Sequence, residues 1–366
     1  MPPEVVDQSG DEILITGESK KLWVEVTSTQ PPSFQWFKDG EIIIGATEDG
    51  FWLNEVTLED SGEYFCVITN NCDIIQSEPV TITVLTRQTV ELPAGWSGVS
   101  AFKVPENPAL ENVLAAVDDN LEIMVSPEGV YWPSQNINTI GNWNTYQGYK
   151  VKMNEPVCFP LVGEMPEGKT IMVNTGANFI PVLCDQPIPA EEIFTQFGND
   201  ILFAYELQTQ LIYWPQGGIL SLEMLQPGVG YLVNMSQPGE ATFLCESPSA
   251  SVTSKAQKQV FENAPWTYQV SCSQHLISIN KSALEELEKG DFIGVFNSHG
   301  NCVGFTQYNG EAGNILLVAY SDDFTTDAVE GLQVGEKMSF RVYSAVLQKE
   351  TEVEVKFENS MPNQEY

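Results

Sequence analysis

A mainly β chain built from several small domains is what this sequence predicts, and three observations predict it. Short runs rich in β-branched and aromatic residues recur along nearly the whole length, with turn residues between them. The tripeptide Tyr-Trp-Pro occurs twice, at Tyr131–Pro133 and Tyr213–Pro215, 82 residues apart, and its flanks recur at the same offset. A chain of 366 residues with 42% hydrophobic and 10% aromatic side chains is also too long for one ordinary core and rich enough to pack several.

Residues 4–86 carry the runs ILITG, KLWVEVTS, FQWFKDG, FWLNEVT, EYFCVITN and VTITV. Turn signals separate them at Pro31-Pro32, Asp39-Gly40, Asp49-Gly50 and Asn70-Asn71, a spacing that predicts a β-sandwich. Trp36 lies in the third run, and farther on comes Asp60-Ser61-Gly62-Glu63-Tyr64-Phe65-Cys66. With Tyr64 two residues before Cys66, this stretch resembles an immunoglobulin-like domain. The resemblance implies structural roles for Trp36, Tyr64 and Cys66, with the Tyr64 phenol bonding back to backbone at a strand corner. One departure matters: Val24 stands where such domains carry the partner cysteine. The usual inter-sheet disulfide is therefore absent, and Cys66 is expected to pack against Val24 and Trp36 as a small hydrophobe. A Cys66–Cys72 bridge is the other arrangement open to that thiol, although a tight hairpin places the two awkwardly.

Two tandem β-rich repeats are expected next, at 87–163 and 164–247. Gly148-Tyr149-Lys150-Val151 and Gly230-Tyr231-Leu232-Val233 share the 82-residue offset of the Tyr-Trp-Pro pair. Upstream, the runs beginning Pro108-Ala109 and Pro189-Ala190 each read as a short helix start, with Pro in the first turn and acids near the N-terminus. A Ser- and Lys-rich linker at 248–259 leads to a C-terminal β-sandwich or barrel domain at 260–359, again mostly strands. Within it, Ser282-Ala283-Leu284-Glu285 predicts a capping box opening a short helix that stops at Lys289-Gly290.

Fifty acids against sixteen Lys and Arg give a net charge of −34. Such a field repels nucleic acid and anionic membrane surfaces and suits high solubility or divalent cations. No run of 18 apolar residues exists, so no membrane insertion by a helix is expected. The start, MPPEVVDQSGDE, lacks the basic and apolar regions of a signal peptide, which leaves a cytosolic chain or a mature or excised segment with a start Met added; Met-Pro-Pro followed at once by a strand-like domain fits the second. Seven cysteines, none in CxxC, and two histidines make a structural zinc site unexpected, and the odd count leaves at least one thiol free or paired with another chain.

No GxSxG, HExxH, P-loop or GxGxxG is present, so no catalytic residue is assigned and the chain is not expected to be an enzyme. His299 near Cys302 reads as a turn histidine followed by a strand cysteine rather than a nucleophilic pair. The run Ser321 to Asp327 offers Asp322, Asp323 and Asp327 as oxygen ligands for calcium. The same run serves equally as an Asp-rich turn bonded to its own backbone. Trp132 and Trp214, with Trp143, Tyr146 and Tyr231, offer aromatic surfaces for a sugar or a protein partner. Their retention in both repeats weighs toward packing, because both copies must fold.

Taken whole, the chain resembles secreted, multidomain surface proteins of the Bacteroidota, many exported by type IX secretion. The features that carry this are YFCVITNNC, then LPAGWSGVS with the VYWP hairpin and QGYKVKM. The third is the GDFIGVF, CVG, SDD and GE series from Gly290 to Glu336. No type IX sorting domain is evident after Phe357. The resemblance implies a non-catalytic, adhesin-like or spacer protein, extracellular at a bacterial cell surface. Its partners would be protein or glycan, with self-association through strand edges open. The alternative is a glycan-binding accessory segment of a larger secreted hydrolase.

Overall fold

The computed structural model describes residues 1–245, 261, 263–271, 273–310, 313–326 and 328–357. The linker expected at 248–259 lies outside the described residues. The fold is mainly β, with several open sheets and only short helices. The chain forms two compact units. One comprises Met1–Thr89 with Lys103–Glu106 and Pro160–Met165, and the other comprises Val90–Phe102, Asn107–Phe159 and the described residues from Pro166 onward. The short segments 103–106 and 160–165, which the sequence divides between the two repeats, thus cluster with the first unit. Val104 bridges Glu164 there, and Gly163 permits it, since a Cβ at Gly163 would lie 2.0 Å from the Val104 carbonyl oxygen.

The first unit is a sandwich. Glu4–Gln8, Lys20–Thr27 and Gly50–Leu53 form one sheet. In the other, Val80–Leu92, Gly62–Thr69, Ser33–Lys38 and Glu41–Ile42 lie side by side, with Glu12–Ile15 parallel to Val80–Leu92. Period-two burial along Gly62–Thr69 sends Tyr64, Cys66 and Ile68 inward. Trp36 stands opposite Cys66 in register, its ring 5.2 Å from Phe51 and its Nε1 donating to the Glu48 carbonyl at 3.1 Å. Cys66, Val24 and Trp36 share one buried core, and Cys66 and Cys72 are both free thiols. Tyr64 Oη donates to the Asp60 carbonyl at 2.7 Å, and burial, with Asp60 and Asp39 nearby, pushes the phenol up to about 12. Tyr64→Phe removes that bond and leaves the carbonyl to water. We expect this unit to lose about 1 kcal/mol in denaturant unfolding, with an unchanged midpoint contradicting the corner's role.

In the second unit, two five-stranded sheets share one strand order. The first runs Gly95–Val99, Tyr149–Met153, Leu121–Ser126, Gly129–Trp132 and Ile137–Asn138. The second runs Gly176–Ile180, Tyr231–Met235, Ile201–Tyr205, Ile212–Trp214 and Ile219–Leu220. Even the irregularity recurs, between Leu121 and Ile123 and between Ile201 and Phe203. The Gly-Tyr pairs explain themselves in this geometry. Tyr149 Oη accepts the Asn144 N–H at 2.7 Å, and Tyr231 Oη accepts the Gln226 N–H at 2.7 Å, so each phenol ties down the loop five residues before it. The glycines let the two sheets touch backbone to backbone. Gly148 N–H donates to the Phe179 carbonyl at 2.8 Å, and a Cβ at Gly98 would lie 1.9 Å from the Gly230 oxygen. Gly98→Ala must push the sheets apart, at an expected cost of about 2 kcal/mol in thermal or denaturant unfolding.

The Cys184–Cys245 disulfide, Cα to Cα 5.3 Å, closes a separation of 61 residues within the second repeat. The C-terminal part pairs Gln274–Ile279 with Ile315–Tyr320. Beside it, Cys302–Gln307, Phe292–Phe296, Ser339–Ser344 and Lys349–Val353 form a four-stranded sheet. Ile277, Val295, Leu317 and Phe340 fill the core of this part. Both sheets are open, so of the two expected architectures the barrel is not the one adopted. The expected helix after Ser282 is a single 3-10 turn, Lys281–Leu284, and its cap is Asn280: the Asn280 side chain accepts the Ser282 N–H at 3.0 Å. The Ser282 hydroxyl donates to the same oxygen instead of capping a helix of its own.

Candidate functional site: a clasp beneath the C-terminal part

The outer face of the first five-stranded sheet carries an unusual row. Trp96 pairs with Lys152 in register, and the irregularity at Leu121–Ile123 brings Glu122 to the same ammonium, 3.2 Å away. The loop after Ile315–Tyr320 reaches this row. Asp323 Oδ2 accepts from Trp96 Nε1 at 3.1 Å and from Lys152 Nζ at 3.1 Å, while Oδ1 accepts from the Thr325 N–H and hydroxyl at 3.1 and 2.8 Å. Lys152 Nζ also donates to the Thr325 hydroxyl. Asp323 is only 4% exposed. Burial works to raise its pKa, but the bonds from Thr325, Trp96 and Lys152 outweigh burial and hold the carboxyl below its ordinary value. A buried carboxylate with an ammonium, an indole N–H and two threonine donors is a satisfied ion pair.

The Asp322 and Asp323 carboxylates, read above as calcium ligands, have protein partners. Both Asp323 oxygens are engaged by protein donors, and Asp322 Oδ1 accepts the N–H groups of Glu330 and Gly331 at 2.8 and 3.3 Å. Asp327 lies outside the described residues. Among the described residues no group of three or more His, Cys, Asp or Glu side chains is placed to hold a metal ion. Both Asp323 oxygens and Asp322 Oδ1 thus serve a turn and a lysine.

Both Tyr-Trp-Pro tryptophans meet the C-terminal part, in different ways. Trp132 is half-buried, with its ring 6.5 Å from Phe324 and nearly perpendicular to it, and Phe324 itself is 54% exposed. Trp214 is 8% exposed and lies in an apolar cluster with Tyr205, Leu232, Leu276, Val318 and Tyr320. A Cβ at Gly217 would press on the Trp214 indole at 2.4 Å, and the Gly217 carbonyl accepts from Ser278 Oγ and Asn314 Nδ2, both at 2.8 Å. Beside this cluster Tyr268 stacks on Tyr320 at 5.5 Å, and Gln210 Nε2 donates to both phenols, at 3.0 and 2.9 Å. Trp143 and Tyr231 are buried in the repeats, whereas Tyr146 is exposed.

The Cys302 thiol donates to the Gly304 carbonyl at 3.6 Å, and burial pushes its pKa up to about 11. A thiol held protonated is the opposite of an activated nucleophile. His299 Nδ1 meets the Ser298 hydroxyl at 3.5 Å, and the Ser298 hydroxyl also bonds Glu336.

Sequence reasoning did not find Lys152 and Trp96 as partners of Asp323, nor the Cys184–Cys245 pair. One signal for the first was present. Lys152 is among only sixteen cations in the chain and sits where the second repeat has Asn234.

Residues 3–84 match the immunoglobulin domain family. Hemicentin-2 of Mus musculus is 22% identical over 161 residues, 41% of this chain and 3% of that protein, so the chain spans a small fraction of that relative's length. Among solved structures, the tandem Ig repeats of Dlar share 17% identity over 23% of this chain and 48% of that one, with a TM-score of 0.22. The atomic-resolution structure of a titin domain shares 24% over 23% of this chain and 96% of that one, with a TM-score of 0.21. Residues 3–84 are thus an immunoglobulin-like domain at the head of a mainly β chain.

Proposed function

We propose that this chain is a non-catalytic, extracellular adhesion or spacer segment at a bacterial cell surface. The observation that carries the reading is the use made of its chemically capable side chains. Lys152, Asp323, Trp96 and Trp214 are spent on fastening the C-terminal part to the two repeats. The Cys184–Cys245 bridge supports the location, since disulfides persist in oxidising compartments. The charge of −34 supports a soluble, self-repelling surface. An immunoglobulin-like domain is a common means of protein contact, in keeping with a protein partner. Single-molecule stretching tests the load-bearing part of the reading. The loop closed by the disulfide cannot extend until reductant is added, which should then lengthen the fully stretched chain by about 210 Å. Separate, low-force unfolding of the two repeats and the C-terminal part, each before the immunoglobulin-like domain, would contradict it.

A second reading rests on Trp132 with its exposed neighbour Phe324: an aromatic surface suited to a glycan. On a glycan array, specific binding lost in Trp132→Ala would support an accessory sugar-binding segment. Trp214 is covered and is not expected to contribute.

A further inference from the structure

A groove of about 580 Å³ in the C-terminal part has residues 265–269 as one wall. Burial along that wall alternates: Trp266, Tyr268 and Val270 are half-buried, while Thr267 and Gln269 are exposed. This is the pattern of a β-strand, and both anchors are fixed. Trp266 Nε1 donates to Glu350 at 2.8 Å, and its ring stands edge-on to Phe296 at 5.3 Å, over Gly294, where a Cβ would clash. Tyr268 is held by its stack on Tyr320 and its bond from Gln210. Yet the segment belongs to no sheet, and among the described residues its Thr267, Tyr268 and Gln269 backbone groups make no hydrogen bond. Among the described residues it is a strand edge without a neighbour, held by its side chains and open on a groove.

The charges of the groove select the guest. Arg341 is spent: its guanidinium bonds Glu350 at 2.9 Å and lies 4.0 Å over the Phe296 ring. Glu350, bonded by Arg341 and Trp266, and Glu330 line the same space, in a chain of net charge −34. The Glu330 carboxylate is bonded by a single hydroxyl, that of Thr326, at 3.2 Å. We propose that this groove binds an extended peptide segment of a partner protein, which pairs with the Thr267–Gln269 backbone and presents a lysine or arginine to Glu330. Main-chain pairing supplies affinity and the basic side chain supplies selectivity.

The test is fluorescence anisotropy of the full chain with a labelled, acetylated peptide of three Lys-Val repeats. The lysine peptide should bind and its glutamate analogue should not. Two further peptides, methylated either at the lysine amides or at the valine amides, probe the backbone. A strand pairs through one set only, so one of them should lose about tenfold or more while the other keeps its affinity. Glu330→Gln should weaken binding several-fold with an unchanged melting temperature. Equal binding of both methylated peptides, binding of the glutamate analogue, or no binding of the lysine peptide at millimolar concentration would overturn the proposal. So would sedimentation showing this edge paired with a second copy of the chain.

Discussion

Asp323→Ala is expected to destabilise the second unit by about 3 kcal/mol, because it strips a buried indole N–H of its acceptor and a half-buried ammonium of its closest counter-charge. Lys152→Met should cost a similar amount for the converse reason, leaving the Asp323 carboxylate buried with only Trp96 and Thr325 as donors. The two changes share one interaction, so the double variant should cost clearly less than the sum, and a double-mutant cycle measures the difference. Strict additivity would mean that the pair is a bystander. The same carboxylate gives a pH signature. Its pKa is lowered in the folded state, so its contribution is complete above the unfolded value of about 3.9 and is lost as pH falls through the lower, folded value. The second unit should therefore lose stability below about pH 4, and Asp323→Asn, which removes the charge and keeps one acceptor oxygen, should flatten that slope. The melt of the first unit should be indifferent to both variants.

Opening the Cys184–Cys245 bridge is the other large effect. The closed loop of 61 residues restricts the unfolded chain enough to be worth about 4 kcal/mol. For a unit of this size, reduction or Cys184→Ser/Cys245→Ser should lower the melting temperature by about 10 °C. Cys184 is fully buried in the core of the second repeat, so the loss combines loop entropy with disturbed packing around Ile188 and Phe243. A melting curve insensitive to reductant, after thiol titration shows the bridge open, would contradict this. The remaining described cysteines are free, so the effect belongs to this one bridge.

The mainly β fold was legible in the sequence because its signals are local. Period-two runs, turn residues and the Asp60 to Cys66 spacing each act over fewer than ten residues. The positions of Trp36, Tyr64 and Cys66 were readable for that reason: a strand corner and its core neighbours are set by short-range register. The recurring Gly-Tyr pairs announced two similar sheets, although not that Gly98 and Gly230 would touch across them. What the site residues do was not legible. An aspartate-rich run reads as a turn or a cation site, and only folding brings Lys152, 171 residues earlier, to Asp323. Trp132 and Trp214 stand in equivalent tripeptides, yet one keeps an exposed neighbour and the other is covered. The difference lies in what packs on each sheet: a polar loop on the first and the Gln274–Ile279 and Ile315–Tyr320 pair on the second. No count of cysteines selects Cys184 and Cys245, whose Cα atoms lie 5.3 Å apart.

The account rests on the two repeats and the C-terminal part behaving as one body, fastened at Asp323 and Trp214. Hydrogen-exchange mass spectrometry of the intact chain across its thermal transition tests this most directly. Peptides covering Tyr149–Met153, Tyr231–Met235 and Ile315–Tyr320 should lose protection together, at one temperature. Loss of protection in Ile315–Tyr320 well below the other two would show an independent C-terminal part and contradict the clasp.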